Sequence, residues 1–158
     1  MRFTLFLLVR FALPYNSMAL KYPYKFRLAD DGYLLRLPIV SVIFTNPQNR
    51  KRVEVHCLID SGAEDVFLSM EAAKALGIDV SMGDTKEYKG ITSAPVIAHE
   101  HALLMNVERD THQFNVACSF LSDLPVAGLL GQNGFFDNYK VVFKRYQNVF
   151  ELTPVEEK

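Results

Sequence analysis

The residues with the clearest chemical potential stand at the end of the run Val53-Glu54-Val55-His56-Cys57-Leu58-Ile59, which delivers Asp60 onto the small turn Ser61-Gly62-Ala63. A carboxylate there has two readings. Asp and Ser accept local backbone hydrogen bonds and Gly tolerates positive φ, so Asp-Ser-Gly by itself makes an ordinary turn. Fixed at the end of a strand, the same carboxylate is also placed to take or give a proton. A second group, His99-Glu100-His101, puts two imidazoles on one face of an extended segment, which is a ligand pair for a metal. His56 and His112 are scattered, and Cys57 and Cys118 lack Cys-x-x-Cys spacing. The expectation is therefore a polar outer strand face, two cysteines acting as small buried apolar residues, and neither metal nor cofactor.

The elements that must position Asp60 follow from periodicity. Val53, Val55, Cys57 and Ile59 alternate with Glu54, His56, Leu58 and Asp60, the period-two pattern of a half-buried strand. Upstream, Asp30-Asp31-Gly32 is a turn, and Tyr33 to Thr45 reads as one long strand with Pro38 marking an edge or bulge. Asn46-Pro47-Gln48-Asn49 turns it into a hairpin with the strand that ends at Asp60. Val66-Phe67-Leu68 is a short strand. Ser69 then caps a helix with Glu71 in its first turn and Gly77 as its stop. Lys86 to Val107 reads as a long hairpin around Gly90-Ile91-Thr92-Ser93-Ala94-Pro95, and Gln113 to Phe120 as a further strand. Val126 to Gly131 is a buried apolar run, Gln132 to Tyr139 one or two helical turns, and Lys140 to Leu152 a last hairpin around Tyr146-Gln147. Phe135, Phe136 and Tyr139 belong to the core on this reading.

Length and composition bound the possibilities. A chain of 158 residues, 49% hydrophobic and 22% charged, suits one globular domain with a real core. The net charge of −1 and the absence of a basic run argue against a nucleic-acid partner. No apolar run is long enough for a membrane-spanning helix. The amino end is apolar behind Arg2, but Arg10 limits the apolar stretch to Thr4–Val9, shorter than a secretory signal uses, so a cytoplasmic location is expected. Residues 1–31 read as an extension, either upstream of a true start at Met18 or a loose arm. Residues 32–153 form the domain and 154–158 a tail.

Two features then coincide: the strand into Asp60-Ser61-Gly62-Ala63, and the apolar pair Leu129-Leu130 followed by Gly131. Together they resemble the retropepsin-like aspartic proteases, the single-lobe relatives of pepsin, over about Leu34 to Leu152. Asp60-Ser61-Gly62-Ala63-Glu64-Asp65 is similar to the Asp-Thr-Gly-Ala-Asp-Asp of viral members, and Gly128-Leu129-Leu130-Gly131-Gln132-Asn133 to their Ile-Ile-Gly-Arg-Asn. The resemblance implies an all-β fold, a closed acid-protease barrel with one or two short helices and one lobe per chain. It makes Asp60 the catalytic carboxylate, Ser61 the hydroxyl bracing paired loops, Gly62 the close approach to substrate and Ala63 part of the pocket floor. Gly90 to Ala94 becomes the flap, and Glu64 borders the substrate. Gln132 departs from the pattern, since viral members carry an Arg there that pairs with the acid matching Glu64; a hydrogen bond between Glu64 and Gln132 is the substitute left open.

Only one such aspartate motif occurs, whereas the chemistry of the family requires two carboxylates. The resemblance therefore implies a homodimer with Asp60 from each copy meeting on a two-fold axis, acting as an endopeptidase on an extended peptide or protein. Terminal strands knit such dimers, which points to Asn148 to Leu152 and to a strand before Tyr33. The alternative keeps the fold without catalysis, as a module that holds a peptide by β-addition.

Overall fold

The computed structural model describes residues 18–89 and 95–155. Its strands are β1 (Leu20–Pro23), β2 (Lys25–Leu28), β3 (Leu34–Leu37), β4 (Ile39–Thr45), β5 (Arg52–Ile59) and β6 (Val66–Ser69), followed by helix α1 (Met70–Leu76). Then come β7 (Asp84–Tyr88), β8 (Val96–Val107), β9 (Phe114–Leu121), β10 (Gly128–Leu130), β11 (Tyr139–Lys144) and β12 (Val149–Pro154). No helix among the described residues is long and apolar enough to cross a membrane.

The strands run in the order β4-β5-β10-β6-β9-β8, and a further β4–β8 pairing closes these six into a barrel, with β7 added beside β8. Closure leaves those barrel strands without a free edge. The alternation in β5 is realised, with Val55, Cys57 and Ile59 buried and Glu54 and His56 exposed. Inside the barrel Val42, Phe44, Val66, Leu68 and Met105 are fully buried. Short β10 lies between β5, to which it runs parallel (Leu130 opposite Ile59), and β6, to which it runs antiparallel (Gly128 opposite Leu68).

Helix α1 has the termini its sequence calls for. Ser69 Oγ accepts from the Ala72 amide, and Gly77 takes the left-handed conformation at φ 64° that favours glycine. The β4–β5 turn finishes the job, as the Asn46 and Asn49 side chains both donate to the Leu76 carbonyl, at 3.1 and 2.9 Å. Buried Ala72, Ala73 and Leu76 hold the helix against the barrel.

Three regions differ from the sequence-based expectation. The long strand Tyr33–Thr45 is split at Pro38, which has no N–H to donate; its carbonyl accepts from Ile59 N at 2.9 Å. Upstream of the break, β3 pairs with β2 in a separate two-stranded ribbon. The amino-terminal segment is not a loose arm from Leu20 onward, because β1 pairs with β12 (Leu20 opposite Leu152) and Tyr22 and Tyr24 are buried. Tyr22 stacks on Phe150, its hydroxyl bonds the Glu108 carbonyl, and Tyr24 meets Phe150 edge-on. Finally, Gln132–Phe136 is one wide turn and not a regular helix. Asn133 has an extended ψ of 124°, and Gly134 sits at φ 92° with its N–H on the Asp137 carboxylate. Phe135 and Tyr139 are core residues as expected, stacked 5.1 Å apart.

Gly128 is a tight point of the barrel wall. A Cβ there would lie 2.6 Å from Cys57 Sγ and 3.2 Å from both Leu68 and Val55. Replacing Gly128 with Ala is expected to cost about 1–3 kcal/mol by overpacking. In a chain of this size that lowers the melting temperature by about 3–10 °C in a thermal scan. An unchanged melting temperature would show that β5 and β6 can part to admit the methyl.

Candidate active site

Asp60 stands half-buried where β5 ends, and the barrel fixes it from both sides. Its own N–H donates to the Leu130 carbonyl at 3.1 Å, and the preceding amide, Ile59 N, donates to Pro38. Strand β10 thus carries the register of β5 one residue past its end. The turn is closed by Ala63 N to the Asp60 carbonyl (3.2 Å) and by Gly62 N to Asp60 Oδ1 (2.9 Å). That second bond steers one carboxylate oxygen onto the turn backbone. A Cβ at Gly62 would sit 3.2 Å from the same oxygen, so the small residue keeps the carboxylate approachable.

The residues after β10 hold the far half of the loop. Gln132 N donates to the Ala63 carbonyl and Asn133 N to the Glu64 carbonyl, at 3.0 and 2.8 Å. At Gly131 the two backbones press together: a Cβ would fall 2.7 Å from the Ala63 carbonyl oxygen and closer still to that of Asp65. Any side chain at position 131 would force the loop away from the strand. The Gln132 side chain does not reach Glu64, as left open above; its amide donates to the Ser61 carbonyl at 2.6 Å. Ser61 is exposed and held through that carbonyl.

The charged anchor of the loop is Asp65, which reads in the sequence as part of a solvated turn. It is 3% exposed. Its Oδ1 accepts from Asn133 Nδ2 at 2.7 Å, and its Oδ2 accepts from Lys86 Nζ at 2.5 Å and from the Tyr88 hydroxyl at 2.6 Å. Tyr88 also shares a hydrogen bond with Ser119 Oγ on β9. Burial works against the Asp65 charge, but the hydrogen bonds from Lys86, Tyr88 and Asn133 outweigh it and hold its pKa below the usual carboxylate value. The hydrogen bond to Asp65 raises Lys86 to about 12 against its own desolvation. Burial, and then the Asp65 charge it touches, push Tyr88 to about 12 as well. Lys86 Nζ also lies 3.7 Å from Glu64 and 3.9 Å from Glu100. The cation facing Glu64 therefore comes from β7 and not from position 132. Lys86 and Tyr88 share one face of β7, two residues apart, and that spacing was the signal available in the sequence.

The structure thus gathers Asp60, Ser61, Gly62, Ala63 and Glu64 into one loop and sets Leu129, Leu130 and Gly131 directly against it. Gly90, Ile91, Thr92, Ser93 and Ala94 lie outside the described residues. His99 and His101 do share a face, but one nitrogen of each ring is engaged by backbone: His99 Nδ1 lies 3.4 Å from the Gly83 carbonyl and His101 Nε2 lies 3.1 Å from that of Val80. Both cysteines are buried and unbridged, and burial raises their thiol pKa values.

A closed barrel whose central short strand secures an Asp-Ser-Gly turn is the architecture of retropepsin-like aspartic proteases. Residues 49–136, more than half of the chain, match the family described as "gag-polyprotein putative aspartyl protease", and the chain belongs to that family. Its structure is similar to the crystal structure of a retropepsin-like aspartic protease from Rickettsia conorii. The TM-score is 0.58 and the identity 18%, over 87% of this chain and 92% of that one, a likeness of fold. No curated protein matches the sequence.

Replacing Asp65 with Asn keeps the shape and removes the charge that Lys86 faces. Breaking a buried pair from one side costs about 3 kcal/mol at neutral pH. Because the folded-state pKa of Asp65 is depressed, its contribution is complete above the unfolded value of about 3.9 and is lost as pH falls through the folded one. Urea unfolding of wild type and D65N should therefore differ most at pH 7, and the gap should narrow progressively as pH falls below about 3.9 toward the folded value. A gap of constant size would mean that the carboxylate charge is not what holds the loop.

Proposed function

We propose that this protein is an aspartic endopeptidase whose active site forms when two copies of the chain place their Asp60 carboxylates together on a two-fold axis. The observation that carries the reading is the seating of Asp60 itself. It lies at a strand end, its backbone is pinned to Leu130, and the glycine beside its Oδ1 leaves the carboxylate open to a bound molecule. Membership in an aspartyl protease family supports it. A chain with one aspartate motif needs a second copy to complete the pair, and an isologous dimer supplies it with identical surfaces.

The chemistry follows from proximity. Two carboxylates about 3 Å apart cannot both ionise, so the pair holds one proton between them. The ionised member removes a proton from a water poised between them as its oxygen attacks the scissile carbonyl carbon. The protonated member donates to the carbonyl oxygen, giving a tetrahedral diol. The carboxyl that took the water proton returns it to the amide nitrogen while the other carboxylate takes a proton from a diol hydroxyl, so the C–N bond breaks, the amine leaves and the acid remains. The dyad ends with its shared proton restored, and the net reaction is addition of water across the peptide bond. Ser61, Gly62 and Ala63 shape the loop that presents each carboxylate, while Glu64 borders the groove for an extended peptide.

Replacing Asp60 with Asn is expected to lower kcat on peptide substrates by at least about 100-fold, the lower end of what general acid–base catalysis contributes. Dimerisation should be retained. The wild-type rate should follow a bell-shaped pH profile on the acid side of neutrality, reporting the pair as a unit. Wild-type cleavage rates in the purified Asn variant would reject the mechanism.

A further inference from the structure

The ribbon formed by β2 and β3 is an unusual burden for a chain of this size. Its register is Lys25–Leu37, Phe26–Arg36, Arg27–Leu35 and Leu28–Leu34, and neither strand joins another sheet among the described residues. Period-two alternation puts Phe26, Leu28, Leu34 and Arg36 on one face. Phe26 is 53% exposed, Leu28 68% and Leu34 50%. The opposite face is the better covered one, with Leu35 and Leu37 half-buried. A lone two-stranded ribbon is marginal in water, and one that turns three large apolar side chains outward is poorly suited to stand alone.

Both roots of the ribbon are fixed. At β2, Tyr24 N donates to the Asn148 carbonyl; at β3, the Pro38 carbonyl accepts from Ile59 N. The second bond joins the chain neighbours of Leu37 and Asp60, where the antiparallel β4–β5 pairing, with Ile39 opposite Leu58, comes to its end. The ribbon therefore leaves the barrel beside the loop that, on the reading above, meets its copy on the two-fold axis.

The area a dimer needs points the same way. Stable dimers bury about 800 Å² on each partner, more than two short loops supply. The terminal strands, expected to knit the dimer, are partly committed elsewhere: β12 is flanked by β1 and β11 of its own chain, so neither of its edges is open to a partner. Three large side chains at half exposure or more offer on the order of 300 Å² of apolar surface, twice over in a two-fold assembly.

We infer that the face of the β2–β3 ribbon carrying Phe26, Leu28 and Leu34 packs on a second copy of this chain, as an arm that stabilises the dimer. The inference rests on the dimeric reading of the active site, and the two can fail separately. Sedimentation equilibrium of wild type, Asp60→Asn and the double variant Phe26→Ser/Leu28→Asp tests them together with peptide cleavage at several protein concentrations. The ribbon variant should weaken dimerisation at least 100-fold. Its specific activity should fall at low concentration and recover as concentration rises, while its far-UV circular dichroism remains that of wild type. Amide exchange in residues 25–37 of the wild type should slow with increasing protein concentration. A ribbon variant that dimerises like wild type, with concentration-independent exchange in the ribbon, overturns the inference and leaves the dimeric site standing. A wild type that remains monomeric while cleaving peptides overturns both.

Discussion

Strand β10 has to lie flush between β5 and β6, and the carboxylate loop that joins those two strands has to pass over its end without a gap. That one constraint accounts for most of what surrounds Asp60. Leu129 and Leu130 supply the pairing that carries β5 to its last residue, and Gly131 supplies the absence of a side chain where the Ala63 and Asp65 carbonyls press in. The turn following Gly131 then bonds back to the loop through Gln132 and Asn133. Asp60 is thus positioned by backbone geometry over the whole stretch 60–65, with little freedom left to the carboxylate apart from its own side-chain torsions.

Charge completes what the backbone begins. Asp65 is buried deeply enough that its ionised form depends on partners, and those partners come from β7, from β9 by way of Tyr88 and Ser119, and from the segment after β10. A buried anion with several directed donors tolerates few alternative arrangements, because losing any one of them exposes the desolvation cost. Where the sequence resemblance leads one to expect an arginine, directly before Asn133, the chain has Gln132, and the cation facing the loop is Lys86. The positive charge facing the loop belongs to a strand of a different hairpin, so β7 and the carboxylate loop are tied together through Lys86 and Tyr88.

Local rules made much of this visible in the sequence. Alternation along Val53–Ile59, the Ser69 and Gly77 caps and the asparagine-rich turn before β5 each depend on neighbours within a few residues, and each took the expected form. The Asp60 and Leu129-Leu130-Gly131 motifs were legible as well, since their spacing narrows the fold sharply. What escaped was set by distant partners. Asp65 beside Glu64 looks like a solvated acidic turn until β7 and Asn133 are brought to it. Nothing local distinguishes Pro38 as a bulge from Pro38 as the point where a strand changes sheets. The fate of Leu20–Pro23 was decided by an edge of β12 at the other end of the chain.

That last pairing has a consequence for how the molecule comes into being. Hairpins β4–β5, β7–β8 and β11–β12 pair strands that are near neighbours in the chain, whereas β1 pairs with a strand made almost the whole chain later. At ribosomal rates of about 5–20 residues per second, β1 spends on the order of ten seconds without its partner strand. Tyr22 and Tyr24 have no Phe150 to pack on during that interval. Pairing of β1 therefore cannot be completed until synthesis has passed Leu152, and a nascent chain stalled short of β12 leaves its first strand without a partner.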